Sequence, residues 1–201
     1  MKNYLVRVKN AELFDRNYLL ANVYIGVQKE SEENIVKRIE KYEGIESYMY
    51  MCMKGGDMLC IMKITEHVLQ EVGVTQEEAW RQAEKNTFEH VQIIPLTQFI
   101  HNNFGIDENV WERDKEAYIL TNKEQMYGAS EMLNTGVLHL FAREHHASKL
   151  LIIPSSIHEV LIRVFNDDED IEDFSQMLRN VNESIVEPWE RLADQAFVIE
   201  L

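Results

Sequence analysis

The chain has 201 residues, and a hydrophobic content of 45% is sufficient for a buried core. It carries 20 Lys and Arg against 35 Asp and Glu, and a formal net charge of -15 argues against direct readout of nucleic acids, whose phosphates it would repel. The excess is uneven, because residues 1–100 hold 12 basic and 15 acidic side chains whereas residues 101–201 hold 8 and 20. The acidity therefore belongs mainly to the C-terminal half.

The sequence contains no membrane or disulfide signal. No stretch reaches the roughly 18 apolar residues that a membrane span requires, and the first residues lack the apolar core of a signal peptide. Cys52 and Cys60 are the two cysteines and form no CxxC pair, so neither a disulfide framework nor a thiolate zinc site is indicated. We expect a cytoplasmic protein without membrane contact, cofactor or metal, with both thiols reduced in the core.

The first part of the chain alternates between strand-like and helix-like patterns. Residues 4–8 and 18–27 are rich in β-branched and aromatic side chains, which predicts two strands of one sheet. After Ser31, acidic residues are followed by apolar residues at helical spacing, and Gly44 follows the last of them. This pattern predicts a helix that begins at Ser31 and ends before Gly44.

Residues 48–64 are predicted to form a hairpin, because Gly55 and the glycine after it supply the positive φ angles of a two-residue turn. With this turn Cys52 and Cys60 lie on opposite faces, whereas a three-residue loop would place them opposite one another. Both faces are apolar, which favours a central position in the sheet. The methionines on one face are interpreted as core side chains, and the alternative is a soft-metal or peptide-binding surface.

A second helix and a connection are predicted after this hairpin. Thr75 followed by Glu78 is a capping box and predicts a helix start. Residues 92–97 are predicted to form a short strand. Residues 101–116 are predicted to connect two lobes, and Trp111 indicates that this connection packs against the protein.

The C-terminal half predicts strands and helices in alternation. In chain order they are a strand at 116–121, helices at 128–133 and 137–142, a hairpin at 149–162, helices at 171–181 and 187–192, and a strand at 196–200. His158 and Glu159 are predicted to open the second strand of the hairpin. The predicted fold class is α+β, with two packed lobes that each contain a small mixed or antiparallel sheet covered by helices. The lobes are predicted at 1–100 and 117–201, joined by residues 101–116.

Short motifs of the C-terminal half together resemble a known family. They are Leu120-Thr121-Asn122, Gly128-Ala129, Ile153–Val160 and Val181-Asn182-Glu183. In this order they are similar to the LTN, GA, LPSSIHEV and VNE motifs of a family of unknown function found mainly in gut anaerobes of the clostridial group. The chain departs from the family pattern at Pro188 and Trp189, near which the family has acidic residues. The resemblance implies an intact domain and no particular activity.

Ser155, Ser156, His158 and Glu159 are the candidate catalytic residues, because they cluster at the turn of the second hairpin. An HExxH zinc site is excluded, since Ile162 stands where the second histidine is required. A serine with His158 as its base suggests a hydrolase, although the chain contains no GxSxG motif. A hydrolase requires Ser156 and the imidazole within hydrogen-bond reach, with an acidic residue behind the histidine. Serine hydroxyls that bond turn amides would instead indicate a structural turn.

Two other chemistries receive less support. The chain contains neither GxGxxG nor GxxxxGK[ST], the usual nucleotide-binding motifs. His139, His145, His146 and His158 are an alternative metal-binding set, but histidines near a helix C-terminus also have a simpler use as partners of the helix dipole.

The candidate partner-binding residues are Asp167, Asp168 and Asp170, in the longest acidic run of the chain. The simpler interpretation of this run is a solvated helix start that the helix dipole favours. The leading hypothesis is a non-catalytic protein-binding or regulatory module that uses its acidic C-terminal half against a basic protein partner. The alternative is the hydrolase centred on Ser155 or Ser156 and His158.

Overall fold

The computed structural model describes residues 15–55, 58–105 and 116–201. Within these ranges it contains two antiparallel sheets, of four and five strands, with helices packed against them. The predicted α+β class with two sheets is therefore confirmed. The predicted strand at residues 4–8 and the predicted packing of Trp111 lie outside the described residues.

The first sheet is built around one long strand, β3 (Ile45–Gly55). On one side β3 pairs with β1 (Val23–Lys29). On the other side it pairs with β2 (Lys37–Ile39) near its start and with β4 (Met58–Lys63) near its end. The central position predicted for the hairpin thus holds for β3, whereas β4 has β3 as its single neighbour among the described strands.

The helix predicted from Ser31 is wrong, because the segment contains β2 and is held by lateral backbone hydrogen bonds. The N–H of Val36 donates to the carbonyl of Ile64 at 2.8 Å, and the carbonyl of Val36 accepts from Met49 at 3.2 Å. Ile39, which the helical spacing assigned to the core, is 66% exposed. Apolar spacing over so few turns therefore misled the prediction.

Ser31 contacts a buried carboxylate and does not cap a helix. Its hydroxyl donates to Glu46 at 2.7 Å, Gln28 donates to the same oxygen at 2.7 Å, and the Lys37 ammonium lies 3.0 Å from the other oxygen. Glu46 is fully buried. Burial alone would raise the pKa of Glu46, but the hydrogen bonds from Ser31, Gln28 and Lys37 outweigh it and lower the pKa. These contacts with residues distant in sequence fix the conformation of the segment. The local spacing of apolar residues gives no information about them.

The pairing of β3 with β4 places their connection one position later than predicted. Gly55 still belongs to β3, and the connection consists of residues 56–57. The shift moves the register by two residues, which keeps every side chain on its predicted face, so the apolar alternation could not distinguish the two registers. Cys52 pairs with Ile61 and is not opposite Cys60, as predicted. Cys52 is half-buried, however, and not a core residue.

The strand predicted at residues 18–27 begins only at Val23. Its first half belongs to α1 (Arg16–Asn22). The Asp15 side chain caps this helix by accepting from the N–H of Asn17 at 2.6 Å. Residues 18–22 have strand-like composition, but they are helical because Asp15 caps a helix immediately before them.

α3 (Gln76–Phe88) begins where predicted, because Thr75 accepts from the N–H of Glu78 at 3.2 Å. It is preceded by α2 (Glu66–Val72), a short helix that the sequence analysis did not identify. α4 (Leu96–Phe104) occupies the start of the predicted connection. None of the helices in the described ranges is long and apolar enough to cross a membrane.

The second sheet contains five strands and accounts for most of the C-terminal half. They are β5 (Val91–Pro95), β6 (Ala117–Asn122), β7 (Lys149–Ile153), β8 (Val160–Val164) and β9 (Phe197–Glu200). Their order is β5-β6-β8-β7-β9, with antiparallel neighbours throughout. β5 falls within the predicted lobe of residues 1–100, yet it pairs with β6 of the second sheet.

Three further helical elements accompany the second sheet. They are a 3₁₀ helix (Gly128–Leu133), α5 (Thr135–Glu144) and α6 (Ile171–Ser184). Their positions agree with the helices predicted there, including the break at Asn134. The short helix predicted at residues 187–192 is wrong, since residues 188–190 form a turn.

The two sheets share a continuous core. Tyr42 is 1% exposed, donates its hydroxyl to the carbonyl of Met132 at 3.0 Å, and packs edge-on against Phe197 with ring centroids 5.3 Å apart. Leu133 packs against the apolar clusters of both halves. The 3₁₀ helix therefore lies at the junction between the two sheets.

Candidate functional site

The loop between β7 and β8, residues 154–159, is fixed to the C-terminal segment by backbone hydrogen bonds. The N–H of Ile157 donates to the carbonyl of Glu190 at 2.9 Å, and the N–H of Leu192 donates to the carbonyl of Ser155 at 3.3 Å. Buried backbone groups of an irregular loop need such partners. The predicted strand, turn and strand are present, and the loop is held by a segment distant in sequence.

The side chains of Ser156 and Glu159 form hydrogen bonds within this loop. Ser156 is 4% exposed, and its hydroxyl accepts from the backbone N–H of His158 at 2.9 Å and donates to the Glu159 carboxylate at 2.8 Å. This is the local turn bonding that serine favours. His158 and Glu159 precede β8, so the prediction that they open the strand is wrong, because the loop extends to Val160.

Replacing Ser156 by alanine is expected to lower the free energy of unfolding by about 1–3 kcal/mol, because the partly buried N–H of His158 and one Glu159 oxygen lose their partner. Chemical denaturation followed by circular dichroism would measure it. Ser155→Ala is the control, since Ser155 contributes its carbonyl to the loop and the substitution keeps that group. Equal stabilities of the two variants would contradict a structural role for the Ser156 hydroxyl.

One nitrogen of the His158 ring is hydrogen-bonded, and the other faces a carboxylate. Nδ1 accepts from the backbone N–H of Tyr127 at 3.1 Å, and Nε2 lies 3.6 Å from the Glu190 carboxylate. Because Nδ1 is an acceptor, the proton of the neutral ring resides on Nε2, which faces Glu190. The carbonyl of His158 accepts from the Thr121 hydroxyl at 2.8 Å. Side chain and backbone of His158 therefore fasten the loop to the neighbouring elements.

The arrangement required of a hydrolase is formed only in part. Glu190 does lie behind the histidine, but the Ser156 hydroxyl bonds the backbone of His158 and not its imidazole. Ser155 is half-buried and bonds Leu192 through its carbonyl. A nucleophile and its base must share a hydrogen bond, and these residues do not. The geometry does not support the hydrolase alternative.

Sequence reasoning missed the residues that surround His158. The Tyr127 ring lies 5.4 Å from the His158 ring and 5.3 Å from Tyr50 of β3, and Tyr50 lies 5.9 Å from Tyr24 of β1. Burial raises the pKa of Tyr50 above its usual range and also raises that of Tyr127, so both hydroxyls stay neutral. Tyr127 has a φ of 55°, which no sequence signal indicated. This aromatic row ties the loop to the first sheet.

The histidines considered as metal ligands are not brought together. His145 packs against Phe141 and Tyr118, with ring centroids 4.2 and 5.0 Å apart. No group of three or more His, Cys, Asp or Glu side chains is arranged to hold a metal ion in the ranges that the structure covers.

Two of the three predicted partner-binding aspartates have partners within the protein. Asp167 lies 2.6 Å from the Lys149 ammonium and raises the pKa of that lysine. Asp170 caps α6 by accepting from the N–H of Glu172 at 3.0 Å. Asp168 is exposed and forms no ion pair with any described residue. The run therefore offers a partner less free charge than its sequence suggests.

A second set of exposed acidic and apolar side chains lies on α6 and in the turn that follows it. We call it the acidic-apolar surface, and it consists of Asp173, Met177, Glu183, Ile185, Glu187 and Trp189. All six are exposed, and none of the three carboxylates forms an ion pair with a described residue. The sequence predicts a helix over this turn and indicates no surface here, although Glu183 lies in the family motif VNE and Trp189 departs from the family pattern.

The fold and the site define an α+β protein with two antiparallel sheets and a histidine-bearing loop at their junction. The chain belongs to a family of unknown function, DUF5688, whose model matches residues 27–199. This confirms the resemblance at the level of the family. No curated protein and no solved structure matches the chain.

Proposed function

We propose that the protein is a non-catalytic binding module whose acidic-apolar surface binds a basic, amphipathic segment of a partner protein. The observation that carries the proposal is the exposure of two large apolar side chains, Ile185 at 77% and Trp189 at 74%. Tryptophan is enriched among the residues that contribute most to protein interfaces. A large exposed aromatic side chain in a fixed turn is suited to such a contact.

The exposed carboxylates near Trp189 in sequence favour a basic partner. Glu183 and Glu187 flank Ile185 in sequence, are exposed, and have no cation among the described residues. A basic segment would neutralise these groups, and its apolar face would cover Ile185 and Trp189. An acidic partner would leave the carboxylates without a counter-charge, and a uniformly polar partner would leave Ile185 and Trp189 uncovered.

The test uses a labelled synthetic helical peptide with leucines on one face and lysines on the other, and its binding is measured by fluorescence anisotropy. Trp189→Ala is expected to weaken binding about tenfold or more, the usual loss at an interface hot spot. Affinity for the unchanged protein should fall as salt is raised, because salt screens exposed charges. Replacing Glu183 and Glu187 by glutamine should reduce this salt dependence.

Leu140→Ala is the matched control, because Leu140 is 45% exposed but lies on α5. It should leave peptide binding unchanged. A peptide of the same composition in scrambled order tests the need for an apolar face. Equal binding of both peptides, or equal losses at Trp189 and Leu140, would contradict the proposal.

A further inference from the structure

A cleft of about 440 Å³ opens between α3, the first sheet and the start of α5. Its lining comes from the sheet (Ile25, Arg38, Ser47), from α3 (Trp80, Glu84, Phe88) and from the end of the 3₁₀ helix and the start of α5 (Leu133, Asn134, Thr135). Small-molecule sites typically measure about 300–1,000 Å³ and combine apolar walls with a few polar groups. The cleft has this size, its accessible lining is more polar than apolar, and it is separate from the acidic-apolar surface.

Arg38 shows which chemistry the cleft accommodates. Its guanidinium lies 4.1 Å from the centroid of the Trp80 ring and 3.4 Å from the Glu84 carboxylate. A cation over an indole face, paired with a carboxylate, is the arrangement that proteins use to bind organic cations. The side chain of Arg38 therefore occupies a position that is built for a positive charge.

Arg38 is not firmly held in this position. Its side chain and that of Glu84 are each 48% exposed, and an ion pair so open to water is weak. Trp80 is 3% exposed, so its ring is a fixed part of the wall. A second carboxylate lines the cleft, because Glu40 is there and accepts from the Ser47 hydroxyl. If Arg38 turned outward, two carboxylates and an indole face would remain.

We infer that the cleft binds a small organic cation, an ammonium or guanidinium group on an apolar body, which takes the place of the Arg38 guanidinium. The cation contacts Trp80 and Glu84. The apolar body packs against the apolar part of the lining, to which Ile25 and Phe88 contribute. Arg38 acts as an internal competitor that the ligand displaces.

The test titrates the isotope-labelled full chain with 2-phenylethylamine and follows backbone and indole N–H signals by NMR. Saturable shifts are expected at the Trp80 indole, Ser47 and Thr135. 2-Phenylethanol and phenylacetate, similar in size but neutral and anionic, should cause no saturable shifts there. Saturable binding of all three compounds, or of none, would overturn the proposal.

The variant Arg38→Ala shows whether the cleft binds cations or anions, because the two cases predict opposite changes in affinity. Removal of the internal competitor should tighten the binding of 2-phenylethylamine. A site for anions would instead lose the one cationic side chain among the described residues that line it, and it would bind phenylacetate more weakly. Glu84→Gln should weaken amine binding about tenfold, the loss expected for one charge-assisted contact. Weaker amine binding by Arg38→Ala would overturn the proposal.

Glu77→Gln is the matched control for Glu84→Gln. Glu77 is also on α3 and also pairs with an arginine, Arg81, at 2.8 Å, but it does not line the cleft. This variant should bind 2-phenylethylamine like the unchanged protein. The circular dichroism spectrum of each variant establishes that the chain is folded, so a loss of binding is assigned to the cleft and not to unfolding.

Discussion

Glu131→Gln is expected to stabilise the protein at alkaline pH and to remove a decrease in stability between about pH 5 and pH 8. Glu131 is fully buried in the 3₁₀ helix, and among the described residues neither of its carboxylate oxygens has a partner that meets hydrogen-bond geometry. Burial raises the pKa of Glu131 from its ordinary 4.5 to about 8, and the nearby Asn134 side chain offsets part of the rise. An unpaired buried charge is far more costly than a buried neutral group.

The sign follows from the protons bound in each state. Between pH 4.5 and about 8 the folded protein keeps the Glu131 proton, whereas the unfolded chain has released it. The free energy of unfolding therefore falls as pH rises, by about 1.4 kcal/mol per pH unit, and levels off above the folded pKa. The total has an upper bound of about 4–5 kcal/mol. Glutamine has no proton to lose and avoids this penalty.

Urea denaturation of both proteins from pH 5.5 to pH 9 would measure this difference. All other titratable groups are common to both proteins, so their contributions cancel when the two stabilities are subtracted. Glu144→Gln, an exposed glutamate of α5, is the control and should follow the unchanged protein. Parallel stability curves for Glu131→Gln and the unchanged protein would show that the carboxylate is solvated or paired when ionised.

Elements that depend on neighbouring residues were predictable from the sequence. The start of α3 is set by Thr75 and the start of α6 by Asp170, and each side chain bonds an N–H two or three residues further on. The hairpin of β7 and β8 was visible because both strands are apolar and a proline separates them. Such signals lie within a few residues, so a single sequence contains them.

Elements that depend on distant residues were not predictable. The segment after Ser31 has helical spacing, but the buried carboxylate of Glu46 and the backbone of Met49 hold it in an extended form. At the candidate site, His158 was found because its motif stands out in sequence. Its partners Tyr127 and Glu190 were not found, since each is brought there by the fold. No local pattern in a single sequence connects these three residues.

Gly128→Ala is expected to destabilise the protein by about 3 kcal/mol or more, because a side chain at this position has no space. A Cβ atom on Gly128 would lie 2.6 Å from the backbone N of Asn122 and 2.8 Å from the carbonyl O of His158, and it would also meet the Thr121 hydroxyl. Two of these three atoms belong to backbone, so rotation of a side chain cannot relieve the overlap. The strand, the loop and the 3₁₀ helix would have to separate.

Gly136→Ala is the matched control, since a Cβ atom there makes one ordinary contact, 3.5 Å from the Asn134 side chain. It lies in α5, where alanine is intrinsically favoured over glycine by up to about 1 kcal/mol, so this variant should be unchanged or slightly more stable. Chemical denaturation of both variants measures the difference. In Gly128→Ala the His158 ring signals should also shift, because the Thr121 to His158 hydrogen bond passes beside the new methyl group. Equal stability of the two variants would mean that the 3₁₀ helix does not pack tightly against β6 and the loop.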